Sequence, residues 1–137
     1  MTQRPKIETE VLLSTLWIFV LFNYLYCDVI GLMDHRVLSQ MLTGTVDGIE
    51  LTPGFLFAGA ILMEIPIAMV LLSRILAYRA NRWANFVAAA IKTVAMIATL
   101  LTGAAAYYWF FAVIEIATTV FIIYLAWNWK PQAAMAA

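Results

Sequence analysis

Four long, predominantly apolar runs leave this chain few ways to fold. They cover about 11–33, 53–77, 83–102 and 105–129 of its 137 residues, and a helix of about 20 apolar residues crosses the hydrocarbon of a bilayer. With 65% hydrophobic and 12% charged residues, the chain has too little polar surface to cover a water-soluble globule of this size. The expected fold class is therefore all-α: an integral membrane, antiparallel four-transmembrane-helix bundle, with residues 1–137 as a single domain. Short second and third connections force neighbouring spans to run antiparallel. Pro53 suits the first turn of a helix. Thr43-Gly44-Thr45 and Asp47-Gly48 read as turns within the polar stretch 34–52, and Gly103 separates the last two spans.

Basic residues set the expected orientation. Arg4 and Lys6 precede the first span, Arg74, Arg79 and Arg82 flank the second connection, and Lys130 follows the fourth span. The opposite side has only Arg36. The excess of Lys and Arg on one side predicts a multi-pass protein of the cytoplasmic (inner) membrane with both termini cytoplasmic. Arg74, Arg79 and Arg82 are expected to meet anionic lipid headgroups. No small-residue cleavage site closes the first run, so it is expected to remain as a helix. The formal net charge of +0 argues against a nucleic-acid partner. One cysteine, Cys27, and one histidine, His35, rule out an internal disulfide, a cysteine zinc site and bis-histidine haem. No cofactor and no metal are expected.

Polar residues at membrane depth carry the functional signal. Asn23, Glu64, Lys92 and Glu115 each lie near the middle of a span. A charge at the bilayer centre costs at least about 2.5–3.5 kcal/mol and normally faces a bundle interior or a cavity. Matching depth predicts a midplane ligand- or proton-binding cluster of Glu64, Lys92 and Glu115, with Asn23 beside it. Two carboxylates against one ammonium leave a surplus negative charge, which a proton or a bound cation would neutralise. The helical neighbours of Lys92 include Asn85, Ala88, Ala89 and Thr99; those of Glu115 include Tyr108, Ala112, Thr118 and Thr119. Small and polar faces of this kind suit close helix packing. Asn85, Thr99, Tyr108, Thr118 and Asp28 are accordingly expected to line a cavity. Tyr24 and Asp28 share a face at i, i+4 and would line its outer mouth with Asp34, His35 and Glu50, unless they form an interfacial tyrosine belt and a solvated acidic turn. The alternative for the whole cluster is a buried network that only fixes helix register. Cys27 has no nearby base to activate it and reads as a packed thiol.

Several segments carry a likeness. Glu10-Val11-Leu12-Leu13-Ser14-Thr15-Leu16-Trp17, Asn23-Tyr24-Leu25-Tyr26-Cys27-Asp28, Met63-Glu64-Ile65-Pro66-Ile67-Ala68-Met69 and Tyr78-Arg79-Ala80-Asn81-Arg82-Trp83-Ala84-Asn85 resemble a family of small, uncharacterised four-span membrane proteins of microbes. The likeness covers most of the chain and implies its topology, but no reaction. By span count and size the chain is also similar to the DoxX-like group, some of whose members work with quinone-linked sulfur oxidation.

Three functions follow as expectations. The first is binding or transport of a small ligand or proton at the midplane cluster, and transport by only four spans implies a homo-oligomer. The second is a non-enzymatic accessory or assembly subunit of a larger membrane complex. The third, implied by the DoxX-like likeness, is a quinone-linked oxidoreductase subunit whose electron carrier comes from a partner. Catalysis by this chain alone is not expected.

Overall fold

The computed structural model describes residues 7–101 and 103–131; expectations for Arg4, Lys6 and the alanine-rich end lie outside the described residues. Helix α1 (Thr9–Met33) is followed at once by a short helix, α2 (His35–Leu42). Asp34 makes the corner. Its N–H donates to the Ile30 and Gly31 carbonyls, ending α1, and its carboxylate accepts the Arg36 N–H at 2.9 Å, starting α2. An acidic side chain is favoured at this capping position. Strands β1 (Thr45–Val46) and β2 (Ile49–Glu50) then pair antiparallel. Their turn uses Asp47 and Gly48 at φ 48° and 84°, the positive values a tight two-residue hairpin requires. The polar stretch between the first two spans is thus a small folded cap and not an open loop.

The remaining helices are α3 (Pro53–Ile75), α4 (Tyr78–Leu100) and α5 (Ala106–Asn128). Thr52 caps α3, its hydroxyl accepting the Phe55 N–H at 3.1 Å, with Pro53 in the first turn. Helix α4 begins at Tyr78, ahead of Trp83, so the connection from α3 is only residues 76–77. Helices α1, α3, α4 and α5 are each long and apolar enough to cross a membrane.

A single rule of spacing packs them. The buried residues include Leu13, Trp17, Val20, Tyr24, Cys27 and Gly31 on α1 and Pro66, Met69 and Ser73 on α3. Helix α4 contributes Asn81, Asn85, Ala88 and Lys92, and α5 contributes Ala112, Glu115, Thr119, Ile122 and Ala126. Each series alternates steps of three and four residues, the period that keeps a seam facing its neighbours in a gently supercoiled bundle. The four helices close a ring in the order α1, α3, α4, α5. Outward-facing Phe19, Phe22, Ile61, Leu71, Val94 and Phe121 give the ring an apolar exterior suited to lipid.

The termini end of the ring is tied by Arg82. Its Nε and Nη2 donate to the carbonyls of Ala126 and Trp127 at 2.9 and 2.8 Å, and its guanidinium lies 6.0 Å from the Trp127 ring centre. Tyr78 adds a hydroxyl bond to the Trp129 carbonyl at 2.6 Å. Arg82, expected at the headgroups, binds the last carbonyls of α5, where a cation also complements the helix dipole. Arg82→Met should lower stability by about 1–3 kcal/mol, the worth of charged hydrogen bonds. Arg79→Met, at an exposed site, should stay within about 0.5 kcal/mol. Detergent unfolding of the two variants checks the contrast.

Candidate functional site

The seams of α4 and α5 carry Lys92 and Glu115 into the bundle, where they are 3% and 1% exposed. Glu64 does not join them. At about 100° per residue, Glu64 sits roughly 140° from Met69 and roughly 180° from Ser73. Turning Met69 and Ser73 inward therefore turns Glu64 outward, and it is exposed on α3. The expected Glu–Lys–Glu cluster is corrected on this point: equal depth did not mean equal azimuth. Asn23 is also outside the cluster, half-buried, with its amide donating to the Phe19 carbonyl at 2.9 Å. Glu64→Leu should leave unfolding in detergent within about 0.5 kcal/mol of the parent. A loss of several kcal/mol would restore Glu64 to the interior network.

Tyr24 and Asp28 take the places expected for Glu64 and Asn23. The carboxylates whose charges reach the Lys92 ammonium are those of Glu115 and Asp28. Lys92 Nζ lies 4.2 Å from the centre of the Tyr24 ring and 3.6 Å from Met63 Sδ. An aromatic face is worth about 2 kcal/mol to a desolvated cation, so Tyr24 is part of the cation's environment. The direct ion pair among the described residues is elsewhere, Arg36–Asp47 at 3.0 Å. Lys92 and Glu115 thus attract each other through space, without contact. Tyr24 Oη and Glu115 Oε1 are buried and have no hydrogen-bond partner among the described residues. Such atoms are rare in folded proteins, and two of them beside a buried ammonium mark a place able to bind another polar group.

Directly beyond this cluster, toward the α2–hairpin cap, lies a cavity of about 470 Å³. Asp28, Thr99 and Tyr108 line it, one or two helical turns past Tyr24, Lys92 and Glu115 on the same three helices. Cys27, Gly31 and Tyr107 complete its lower wall. Its roof is the cap: Arg36, Val37 and Met41 of α2 with Val46, Asp47 and Ile49 of the hairpin. Asp47 fastens the two parts of the roof, accepting from Arg36 at 3.0 Å and Gln40 at 3.3 Å. The site therefore has two tiers, an upper amphipathic cavity and a lower buried charge cluster.

Other expected lining residues lie away from the cavity. Asn85 is buried in a hydrogen-bonded knot with Trp17, Ser73 and Asn81. Thr118 returns its hydroxyl to the Ile114 carbonyl at 2.7 Å. Asp34 caps α2, and His35 and Glu50 are exposed. The roof pair Arg36 and Asp47 went unmarked in the sequence; the one signal for it was a lone arginine eleven residues before an Asp-Gly turn.

Residues 5–136 match the model of a family of unknown function. No curated protein and no solved structure matches the chain.

Proposed function

The chain belongs to the DUF6326 family, of unknown function, and from its own site we propose that it is a membrane protein that binds a small ligand in the roofed cavity, with Asp28, Lys92 and Glu115 supplying the charge that recognises it. The observation that carries this reading is the cavity itself. Its volume, about 470 Å³, falls in the range of small-molecule pockets, and its apolar walls with a few convergent polar groups are what such pockets present. The unpartnered Glu115 Oε1 and Tyr24 Oη below its floor support a ligand or proton reaching the lower tier. The basic residues beside the termini favour a cytoplasmic location for them, so the cavity lies toward the outer side of the inner membrane.

Cys27 is the chain's single cysteine and lines the cavity, which makes it the probe. A small membrane-impermeant thiosulfonate added to intact cells should modify it. Gly31→Leu should slow that modification at least about tenfold, a factor worth about 1.4 kcal/mol. A Cβ at Gly31 meets only the Tyr107 hydroxyl within 4 Å, at 3.5 Å, so a side chain can start there without a backbone clash, and Gly31 lines the cavity. Asp28→Cys, at an exposed position on the cavity wall, is labelled alongside, and failure of both thiols to react before unfolding refutes the open cavity. Modification only from the cytoplasmic face reverses the orientation.

A second reading, an accessory subunit or homo-oligomer, draws support from α3. Glu64 is exposed in the middle of that span, and residues 52–61 are exposed as well. A carboxylate held against lipid is costly, and a neighbouring membrane helix would cover it. Disulfide or photo-crosslinking from position 64 in native membranes tests this reading separately. The DoxX-like likeness gains nothing from the comparisons, and no quinone-linked step is proposed.

A further inference from the structure

We propose that the cavity selects an amphiphilic organic cation, an amine or quaternary ammonium with an apolar body, whose charge rests at Asp28. The inference rests on the pocket reading above and adds the class of ligand. The first argument is charge balance. Arg36 and Asp47 neutralise each other in the roof at 3.0 Å, and Lys92 offsets one of the two carboxylates that act on it. With every group ionised, the two tiers together carry one negative charge in excess, which a bound cation neutralises in place of a proton. Asp28, the carboxylate that lines the cavity, is exposed on its wall and has neither a hydrogen bond nor a direct ion pair among the described residues, so its charge is open to a ligand of opposite sign.

The second argument is the chemistry of the walls. A bare metal ion would meet hydrocarbon on most sides: Val37, Met41, Ile49 and Phe55 face this space. Hard cations instead require a shell of oxygen ligands. An anion would meet Asp28 first, because the arginine in the roof is already engaged by Asp47. An organic cation satisfies both parts of the surface. Its apolar body lies under the roof, and its charged end meets Asp28 in a space that Tyr107 and Tyr108 also line.

The test uses the full chain in nanodiscs of zwitterionic lipid, with three probes that share one body: phenethylammonium, phenethyl alcohol and phenylacetate. Binding is read by calorimetry near neutral pH, against empty nanodiscs. Phenethylammonium should bind at least about tenfold more tightly than the alcohol, and phenylacetate should bind most weakly. Asp28→Asn should abolish the preference, and an unchanged unfolding transition in detergent certifies that the variant is folded. If the variant does not fold, the ranking of the three probes on the parent decides alone. Equal binding of ammonium and alcohol, both lost in Gly31→Leu, overturns the cation inference and leaves the pocket standing. Tightest binding of phenylacetate overturns it in favour of an anion site. No binding of any probe also overturns it, and Cys27 accessibility then decides the fate of the pocket independently.

Discussion

Lys92→Met is expected to cost about 3–5 kcal/mol of stability, the penalty for leaving a buried carboxylate without its cation. Glu115 is 1% exposed, so water cannot replace the lost ammonium. Methionine keeps the straight chain and a favourable sulfur contact with the Tyr24 ring, which limits the change to the charge. Glu115→Gln should cost less, because Asp28 still acts on Lys92. The double variant Lys92→Met/Glu115→Gln should recover most of the loss, since a buried pair replaced by neutral groups of similar size is often tolerated. Dodecyl-sulfate-induced unfolding of the four proteins gives the coupling energy directly. Simple additivity would mean that the two charges do not share an interior, and the lower tier of the site would then have no electrostatic basis.

This result would also separate function from architecture. A cluster that only fixed helix register would tolerate the double change in every assay. A binding site would keep its stability in the double variant and change its affinity for the ligand, because Lys92 no longer acts on Asp28. The two tiers make that distinction possible, because Asp28 lines the cavity while Glu115 is sealed beneath it. Substituting the upper carboxylate perturbs recognition with little effect on packing. Substituting the lower one perturbs both.

The spans were legible in the sequence because length and apolar content alone define them, and α4 and α5 were legible in azimuth as well. Around Lys92 and Glu115 the neighbours Asn85, Ala88, Ala89, Ala112, Thr118 and Thr119 are small or polar, in contrast to the bulky apolar residues on the other faces of the same helices. Helix α3 offers no such contrast. Its run from Pro53 to Ile75 is apolar nearly all round, and periodicity cannot orient a helix of that kind. Glu64 drew the inward face to itself, whereas packing is decided by Pro66, Met69 and Ser73. Ser73 was the usable clue, a small polar residue two turns beyond Pro66. The cap was legible at its turn. Asp47-Gly48 marked the hairpin, and the usable signal for α2 was the pairing of Val37 with Met41 and Leu38 with Leu42 at i, i+4, an apolar stripe among polar residues. The cavity beneath it arises where residues 27–55 meet residues 99–108, a meeting that no local pattern encodes.

Asn85→Ala should be the second most damaging change, at about 2–4 kcal/mol. Asn85 Oδ1 accepts from Trp17 Nε1 at 2.7 Å and from Ser73 Oγ at 3.1 Å, joining α4 to α1 and α3. Its Nδ2 donates to the backbone and side-chain oxygens of Asn81 at 3.0 and 2.7 Å. Asn81 in turn donates to the Ser73 carbonyl at 2.8 Å. Trp17, Ser73, Asn81 and Asn85 are each 0% exposed, so every partner released by the truncation stays dry. Interhelical hydrogen bonds in membranes average about 0.6 kcal/mol and reach about 1.7, and a buried indole N–H without an acceptor adds a desolvation penalty of about 1–3 kcal/mol. The serine hydroxyl can turn back to its own helix, which caps the total. Trp17→Phe/Asn85→Leu should regain part of the loss by removing donor and acceptor together. A cost for Asn85→Ala below about 1 kcal/mol would show that the knot contributes no more than ordinary packing. The knot also fills the bundle on the side of Lys92 away from the cavity, so the same variant should raise proton leak across proteoliposomes; an unchanged leak would place the seal elsewhere along the four helices.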